Sequence, residues 1–439
     1  MQTFYQRIKV YLVNISWVMA EKIFNLGMTF IVTILVARYL GPEQFGVLAY
    51  AISLVAVFAI AGHVGLSGLV VRELVKHPEA KQEIMGTSFG LKGLGYLLGL
   101  MLLLAFTLIT ESSQRDEFWI LLILATTLLF QPFNVIDFWF QSRLEAKYNA
   151  IAKTTTLIII SMFKVALTLL GANLILFALV NALQAILVAI ALILFYRYKS
   201  KLSLTTWRFS TIRAKDLLSQ GWMVFLGSIF AVIYLKVDQI MLKWLDGAEE
   251  VGIYAVAASL SEAWYFVPIV IVASFFPKLI KLRESNPAHF NKRLQQLFDL
   301  LFILALGVAI AVTLLAQPVI TTMFGAAYEG AAPILVIHIW AAVFIFMRAA
   351  FSKWILIENV LMFSLITQGL GALANVALNY WLIPIYGGVG AAYATLISYA
   401  IASYFALFLS PKTRPVFWMM TKSLFTPVRY NIYKFREKK

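Results

Sequence analysis

There is no cysteine in the 439 residues, which excludes disulfides, thiolate nucleophiles and Cys-based metal sites together and leaves the redox compartment unmarked. Histidine is nearly as scarce. The four, His63, His77, His289 and His338, are scattered, so the paired-His spacing of a helical zinc site is missing and they read as interfacial or packed residues. No Walker-type Gly-rich Lys loop is present, and no nucleophile elbow on a strand-to-helix turn. ATP hydrolysis is therefore not expected, no catalytic residue or metal ligand is assigned, and no cofactor is expected. Charge is also in short supply. At 13% charged and 62% hydrophobic, with a mean hydropathy of +0.85, the chain has too little polar surface to cover a soluble core of its size. It reads as an all-α, polytopic integral membrane protein. Arg7 and Lys9 precede an apolar run, but that run reaches spanning length without a small-residue cleavage pattern, so it reads as the first span and not as a signal peptide.

What charge there is carries information through its placement. Apolar stretches near the ~20 residues a spanning helix needs run over 14–37, 45–66, 88–110, 118–140, 151–170 and 174–196, then over 217–242, 251–276, 294–315, 331–352, 356–383 and 387–409. The net charge of +15 would suit a nucleic acid, but the basic residues gather in alternate loops and in the tail, as in polytopic membrane proteins, so no nucleic acid partner is expected. With both termini on one side, only Arg38, Arg115 and Lys243 among the 36 Lys and Arg fall in loops on the other, which predicts cytoplasmic termini. Four lysines, Lys22, Lys92, Lys164 and Lys236, fall inside predicted spans. Trp119, Trp222, Trp244 and Trp381 lie near span ends, as in an interfacial belt; Trp264 and Trp340 do not.

The chain repeats itself. Shifted by 206 positions, EQFGVLAYAISL at Glu43 lies over EEVGIYAVAASL at Glu249, and one residue further back Arg38, Tyr39 and Leu40 answer Lys243, Trp244 and Leu245. This predicts two six-helix bundles related as parallel repeats, about 12 transmembrane helices in all. The expected organisation is an N-terminal bundle over 1–196, a basic cytoplasmic linker over 197–216, a C-terminal bundle over 217–409 and a basic cytoplasmic tail over 410–439.

Polar residues inside spans mark the candidate sites, since an unpaired charge in a bilayer costs at least ~2.5 kcal/mol. On the fifth span Thr154, Ser161, Lys164 and Thr168 share a face, and Lys164 lies ~16 Å beyond Lys153, near mid-membrane. The first span aligns Asn14, Glu21, Asn25 and Thr29, and the eleventh Ser364, Gln368, Asn375 and Asn379. Three such stripes fit a shared hydrated cavity; as packing glue they would bond one another between helices. Lys236 and Asp238 stand about 200° apart on a helix and cannot pair with each other. Lys236 shares its face with Gln239 and Lys243, a strip suited either to an anionic group or to snorkelling. Glu21, Asp238, Glu262 and Asp299 are the candidate carboxylates for exchanging a proton or Na⁺, with Asp137 a further buried acid; a salt bridge to an intramembrane Lys is the alternative for each.

Four motifs together resemble the polysaccharide transport (Wzx-like) family of lipid-linked oligosaccharide flippases, in the superfamily that also holds multidrug exporters and lipid II flippases. They are ARYLGPEQFGVLAY at Ala37, DFWFQSRLEAKY at Asp137, KVDQIMLKWLDGAEEVGIYAVAASLSE at Lys236 with FFPKL at Phe275, and NVALNYWLIPIYGGVGAAYAT at Asn375. Ser142 and Arg143 depart from the pattern, where many members are expected to carry Gly. The resemblance implies two bundles around a central cavity opening alternately to each side, in a bacterial inner membrane. The implied cargo is an undecaprenyl-diphosphate-linked sugar repeat unit for O antigen, capsule or exopolysaccharide, moved from the cytoplasmic to the periplasmic leaflet, with membrane lipids and polysaccharide polymerase or chain-length proteins as partners. Lys164, Lys236 and Lys22 would then meet the diphosphate, Asn375 and Asn379 would line the cavity, and Trp264, Tyr265 and Trp340 would offer stacking surfaces for sugar. A cation-coupled multidrug exporter, favouring an acidic cavity, is the alternative within transport. A membrane-embedded polymerase or ligase is the alternative outside it, but the longest outer loop, 316–330, has one charge, Glu329.

Overall fold

A computed structural model describes residues 2–110 and 115–426; the basic tail beyond 426 and the residues 111–114 lie outside the described residues. Among the described residues every regular element is helical. They are α1 (Gln2–Phe58), α2 (Ser67–Lys76), α3 (Lys81–Thr110), α4 (Arg115–Ala125), α5 (Val135–Ser142), α6 (Ala146–Leu169), α7 (Leu174–Ser200) and α8 (Thr211–Leu245), followed by α9 (Ala248–Glu262), α10 (Phe266–Ser285), α11 (Pro287–Met323), α12 (Ala331–His338), α13 (Ala341–Ile357), α14 (Leu361–Ser403) and α15 (Arg414–Leu424). Ten stretches among them are long and apolar enough to cross a bilayer. Two of these are too long for one crossing: Ser16–Lys76 has 61 residues and Met362–Leu409 has 48, against the ~20 that span a bilayer. Each is broken at a glycine, α1 at Gly41 (φ 72°, ψ 171°) beside Pro42 and α14 at Gly387 (φ 55°, ψ −136°) after Pro384. Divided there, the ten stretches make the twelve crossings that hydropathy predicts.

The breaks follow the internal repeat. Gly41 and Gly247 are 206 positions apart, and both adopt left-handed φ with extended ψ, Gly247 at φ 104° and ψ 177°. Only glycine takes up this conformation without cost, so the Gly before each Glu-rich hairpin fixes the turn between the first two spans of each repeat. The next break is also shared. The helix after Gly41 ends at Phe58 and gives way to a 3₁₀ turn at Ala59–Gly62, and the helix after Gly247 ends at Glu262, followed by a turn through Ala263, Trp264 and Tyr265. Interrupted helices of this kind leave backbone carbonyls and amides unpaired at membrane depth, which a membrane protein tolerates where they meet protein or water.

The chain divides into two compact units, Met1–Val232 and Ile233–Lys439, with the division inside α8. The sequence reading ends its linker at 216; the stretch from Leu217 to Val232 packs with the first unit, where Leu217 joins the core of Leu66, Val70, Ile84, Trp139 and Tyr196. The linker itself is stitched to that unit. Arg208 N–H donates to the Gln82 carbonyl (3.1 Å), Ser210 N–H to Thr87 Oγ1 (3.0 Å), and Trp207 Nε1 to Tyr196 Oη (3.0 Å). Its backbone lies so close to α3 that a Cβ on Gly86 would overlap Arg208. The letters GTSFG from Gly86 to Gly90 match the spelling of a nucleophile elbow, yet they lie in the middle of α3 with Ser88 fully buried, so no exposed serine nucleophile forms. The departure from family pattern at Ser142 and Arg143 also has a local signature, since the next residue, Leu144, takes a left-handed φ of 56° that a Gly would adopt freely.

Candidate functional site

In the second unit, α9 and two separate stretches of α14 converge on Asp238 of α8, which is 3% exposed. Tyr254 Oη of α9 donates to Oδ2 at 2.7 Å, Thr395 Oγ1 donates to Oδ2 at 2.6 Å, and Asn379 Nδ2 donates to Oδ1 at 2.6 Å. Asn379 Nδ2 also reaches Asn375 Oδ1 (3.3 Å), and Asn375 Nδ2 reaches Ser398 Oγ (3.4 Å). Asn375 and Asn379 precede the Gly387 break in α14, while Thr395 and Ser398 follow it; the break folds the helix so that both arms face one carboxylate. Glu250 secures the fold by accepting the Gly388 N–H at 2.7 Å, an anion at the N-terminus of the second arm. The motif at Lys236 and the motif at Asn375 therefore meet at a single side chain.

Three neutral donors suit an ionised carboxylate: hydrogen bonds to a charged group contribute ~1.5–3 kcal/mol each, enough to offset the ~2.5–3.5 kcal/mol of placing an acid at a helix centre in a bilayer. The network around the carboxylate also holds oxygens. Thr395 Oγ1 and Asn375 Oδ1 are there, and Asn379 Oδ1 is buried with no hydrogen-bond donor. Such a set can receive a proton on the carboxylate or a hard monovalent cation among the oxygens. His338, at the C-terminal end of α12, stacks edge-on against Tyr254 at 5.9 Å and keeps a buried, unbonded Nδ1. Sequence reading singles out Asp238, Asn375 and Asn379; it misses Tyr254, Thr395 and His338, whose spacing along the chain carries no signal until α14 folds back.

The other candidates distribute as follows. Lys236 and Glu262 are both half-buried, Lys236 within α8 and Glu262 at the end of α9. Trp264 and Trp340 occupy two helix breaks, Trp264 between α9 and α10 and Trp340 between α12 and α13, the first exposed and the second half-buried. Asp299 Oδ1 accepts from Gln295 Nε2 (2.8 Å), Ser423 Oγ (2.7 Å) and Thr426 Oγ1 (3.0 Å), which fastens α15 to α11. Arg348, inside the predicted span 331–352, lies within α13 and donates from Nη1 to the Ala402 carbonyl at 3.1 Å.

In the first unit the polar faces of α1 and α6 meet. Asn25 Nδ2 donates to Glu21 Oε1 (2.9 Å), Thr154 Oγ1 donates to Asn25 Oδ1 (3.3 Å), and Asn14 Oδ1 accepts the Ala146 N–H (2.8 Å). Here the amides and hydroxyls do bond one another. Lys164 stands apart from that zipper: its Nζ donates to Asn181 Oδ1 of α7 at 2.9 Å, a neutral partner, and Asn181 is in turn oriented by the Phe177 carbonyl (2.8 Å). Lys22 is exposed. Lys92 is buried, 3.4 Å from the Gly62 carbonyl and over the rings of Tyr96 and Phe138 at 5.3 and 5.6 Å, a cation held by a helix end and two π faces. Asp137 is paired with Lys153 at 2.9 Å.

Comparison with known proteins places this arrangement. Residues 11–283 match the family model described as "Polysaccharide biosynthesis protein". A "Probable flippase AglR" of Haloferax volcanii is 25% identical over 399 residues, 88% of this chain and 81% of the relative. A "Putative O-antigen transporter" of Shigella flexneri is 24% identical over 307 residues, 67% of this chain and 72% of the relative. Among solved structures, the lipid II flippase MurJ in an inward closed conformation superposes with a TM-score of 0.69 at 17% identity, covering 96% of this chain and 93% of the other. An inward-facing multidrug resistance MATE family transporter of the MOP superfamily gives 0.67 at 15% identity, covering 95% and 99%. The fold is thus that of a polytopic transporter shared by flippases and multidrug exporters.

Proposed function

Because the chain belongs to the family described as Polysaccharide biosynthesis protein, we propose that it carries an undecaprenyl-diphosphate-linked oligosaccharide from the cytoplasmic to the periplasmic leaflet of a bacterial inner membrane by alternating access. Lys164 carries the reading. Its ammonium lies within a spanning helix and is satisfied by the neutral amide of Asn181, so its charge is left to be matched by an entering anion. A diphosphate moving into a low-dielectric site needs such a cation, and the attraction between them is many times its value in water. Within the second unit, Trp264 and Trp340, which its helix breaks present, are the candidate surfaces for sugar. Both termini lie in the cytoplasm in this reading, and the product passes to polysaccharide polymerase and chain-length proteins.

Asp238 supplies the coupling. Proton or Na⁺ binding at its carboxylate neutralises the acceptor of Tyr254, Thr395 and Asn379, which weakens the tie between α8, α9 and the two arms of α14. A site that changes charge while joining these helices has the differential contacts that an alternating-access cycle requires. The likeness to the MATE transporter favours the second reading, a cation-coupled multidrug exporter, in which Asp238 would serve and Lys164 would not. Complementation separates them. In a strain lacking its own O-antigen flippase, at matched membrane levels, Lys164→Ala should abolish surface polysaccharide and Lys164→Arg should restore at least part of it. Full polysaccharide from Lys164→Ala would remove Lys164 from the mechanism, and drug efflux without polysaccharide in the unmodified chain would establish the exporter instead.

A further inference from the structure

Away from Asp238, α10 and α11 enclose a cleft of about 250 Å³ close to the turn that joins them. Its walls are apolar: Leu279 and Leu282 from α10 face Leu297 and Leu300 from α11, with Phe275 at the far end. Lys278 and Arg293 stand beside them, both exposed. Lys278 is seven residues before the end of α10 at Ser285 and Arg293 six after the start of α11 at Pro287, so both cations stand ~10 Å from the turn, at one level. Arg293 spends one donor on Gln296 Oε1 (2.9 Å), and neither cation forms an ion pair among the described residues; the nearby Glu358 is already taken by Arg283 at 2.6 Å. Beyond this level α11 becomes continuously apolar from Leu300, so the two cations sit where hydrocarbon gives way to head groups.

We propose that this cleft binds an anionic phospholipid, with its phosphate between Lys278 and Arg293 and one acyl chain along the leucine walls. The chemistry narrows the occupant. A soluble anion has no use for the leucines, and a zwitterionic lipid brings its own cation against two others. The inference depends on the chain being a membrane protein and not on which cargo it moves, so its test reads binding without transport. The cysteine-free chain makes the measurement direct: Ile303→Cys, one turn beyond Leu300 and 47% exposed, carries a bimane label whose quenching by brominated lipid is read in vesicles. Brominated phosphatidylglycerol should occupy the site in preference to brominated phosphatidylcholine by on the order of ten-fold, and Lys278→Gln with Arg293→Gln should bring that ratio to about one. Equal quenching by the two lipids, or a preference that survives the double substitution, would overturn the proposal. So would displacement of the quencher by undecaprenyl diphosphate at levels where plain phosphatidylglycerol has no effect, because the cleft would then belong to the cargo.

Discussion

Asp238 and Lys164 are two answers to one problem, a charge kept inside a membrane. The carboxylate is surrounded by three donors and the ammonium by a single amide acceptor, so the first is satisfied in place and the second is still open to an anion. Asp238→Asn keeps the shape and removes the charge. It should insert at near-normal levels, yet fail to support polysaccharide export at any external pH or Na⁺ concentration. Asp238→Ala should lower stability as well, because Tyr254, Thr395 and Asn379 lose their acceptor at ~1–3 kcal/mol for each group left unsatisfied. Thermal unfolding in detergent, beside the export assay, distinguishes the two; normal export by Asp238→Asn would exclude it as the coupling group. At this scale sequence was informative about charged groups, which announce themselves against an apolar run. It was silent about Tyr254 and Thr395, which look like any half-polar helix residues until the backbone turns them toward Asp238.

Helices in this chain are defined as much by where they stop as by where they run. Gly41 and Gly247 stop at matched positions, and the shift of 206 that aligns EQFGVLAYAISL with EEVGIYAVAASL already pairs them. The break before α2 falls at the end of the apolar run 45–66, where Val64 and Gly65 take successive left-handed φ values of 50° and 66°, a backbone course that hydropathy does not report. A β-branched residue with positive φ is strained, and it persists because Gly65 is pressed against the backbone of Gly221. Gly65→Ala should therefore cost ~2 kcal/mol or more, combining left-handed strain with overlap on a carbonyl oxygen. Gly68→Ala, three residues on, has open space for its Cβ and should be neutral or stabilise by up to ~1 kcal/mol through helix propensity. Melting temperatures of the pair in one detergent check both; equal values would mean the Gly65 turn relaxes freely.

For the whole molecule, hydropathy gave the number of crossings correctly because a bilayer imposes one length on every span, whereas the limits of compact units depend on packing that no window of sequence reports. That is why the boundary falls inside α8, beyond the polar linker. The orientation rests on charge and is open to a direct check. With no native cysteine, Ala248→Cys should react with an impermeant thiol reagent in intact cells and Ser203→Cys should not; the reverse pattern would invert the topology. The clasp between Asp299 and α15 has a meaning in time. Asp299 precedes Ser423 and Thr426 by 124 and 127 residues, so at ~5–20 residues per second a ribosome delivers the donors roughly 6–25 s after the acceptor. Through that interval α11 holds its carboxylate with Gln295 alone, and the second unit cannot finish packing until α15 has been made. A chain released early would carry an unclasped α11 into the membrane, where quality-control proteases could tell it from a finished one.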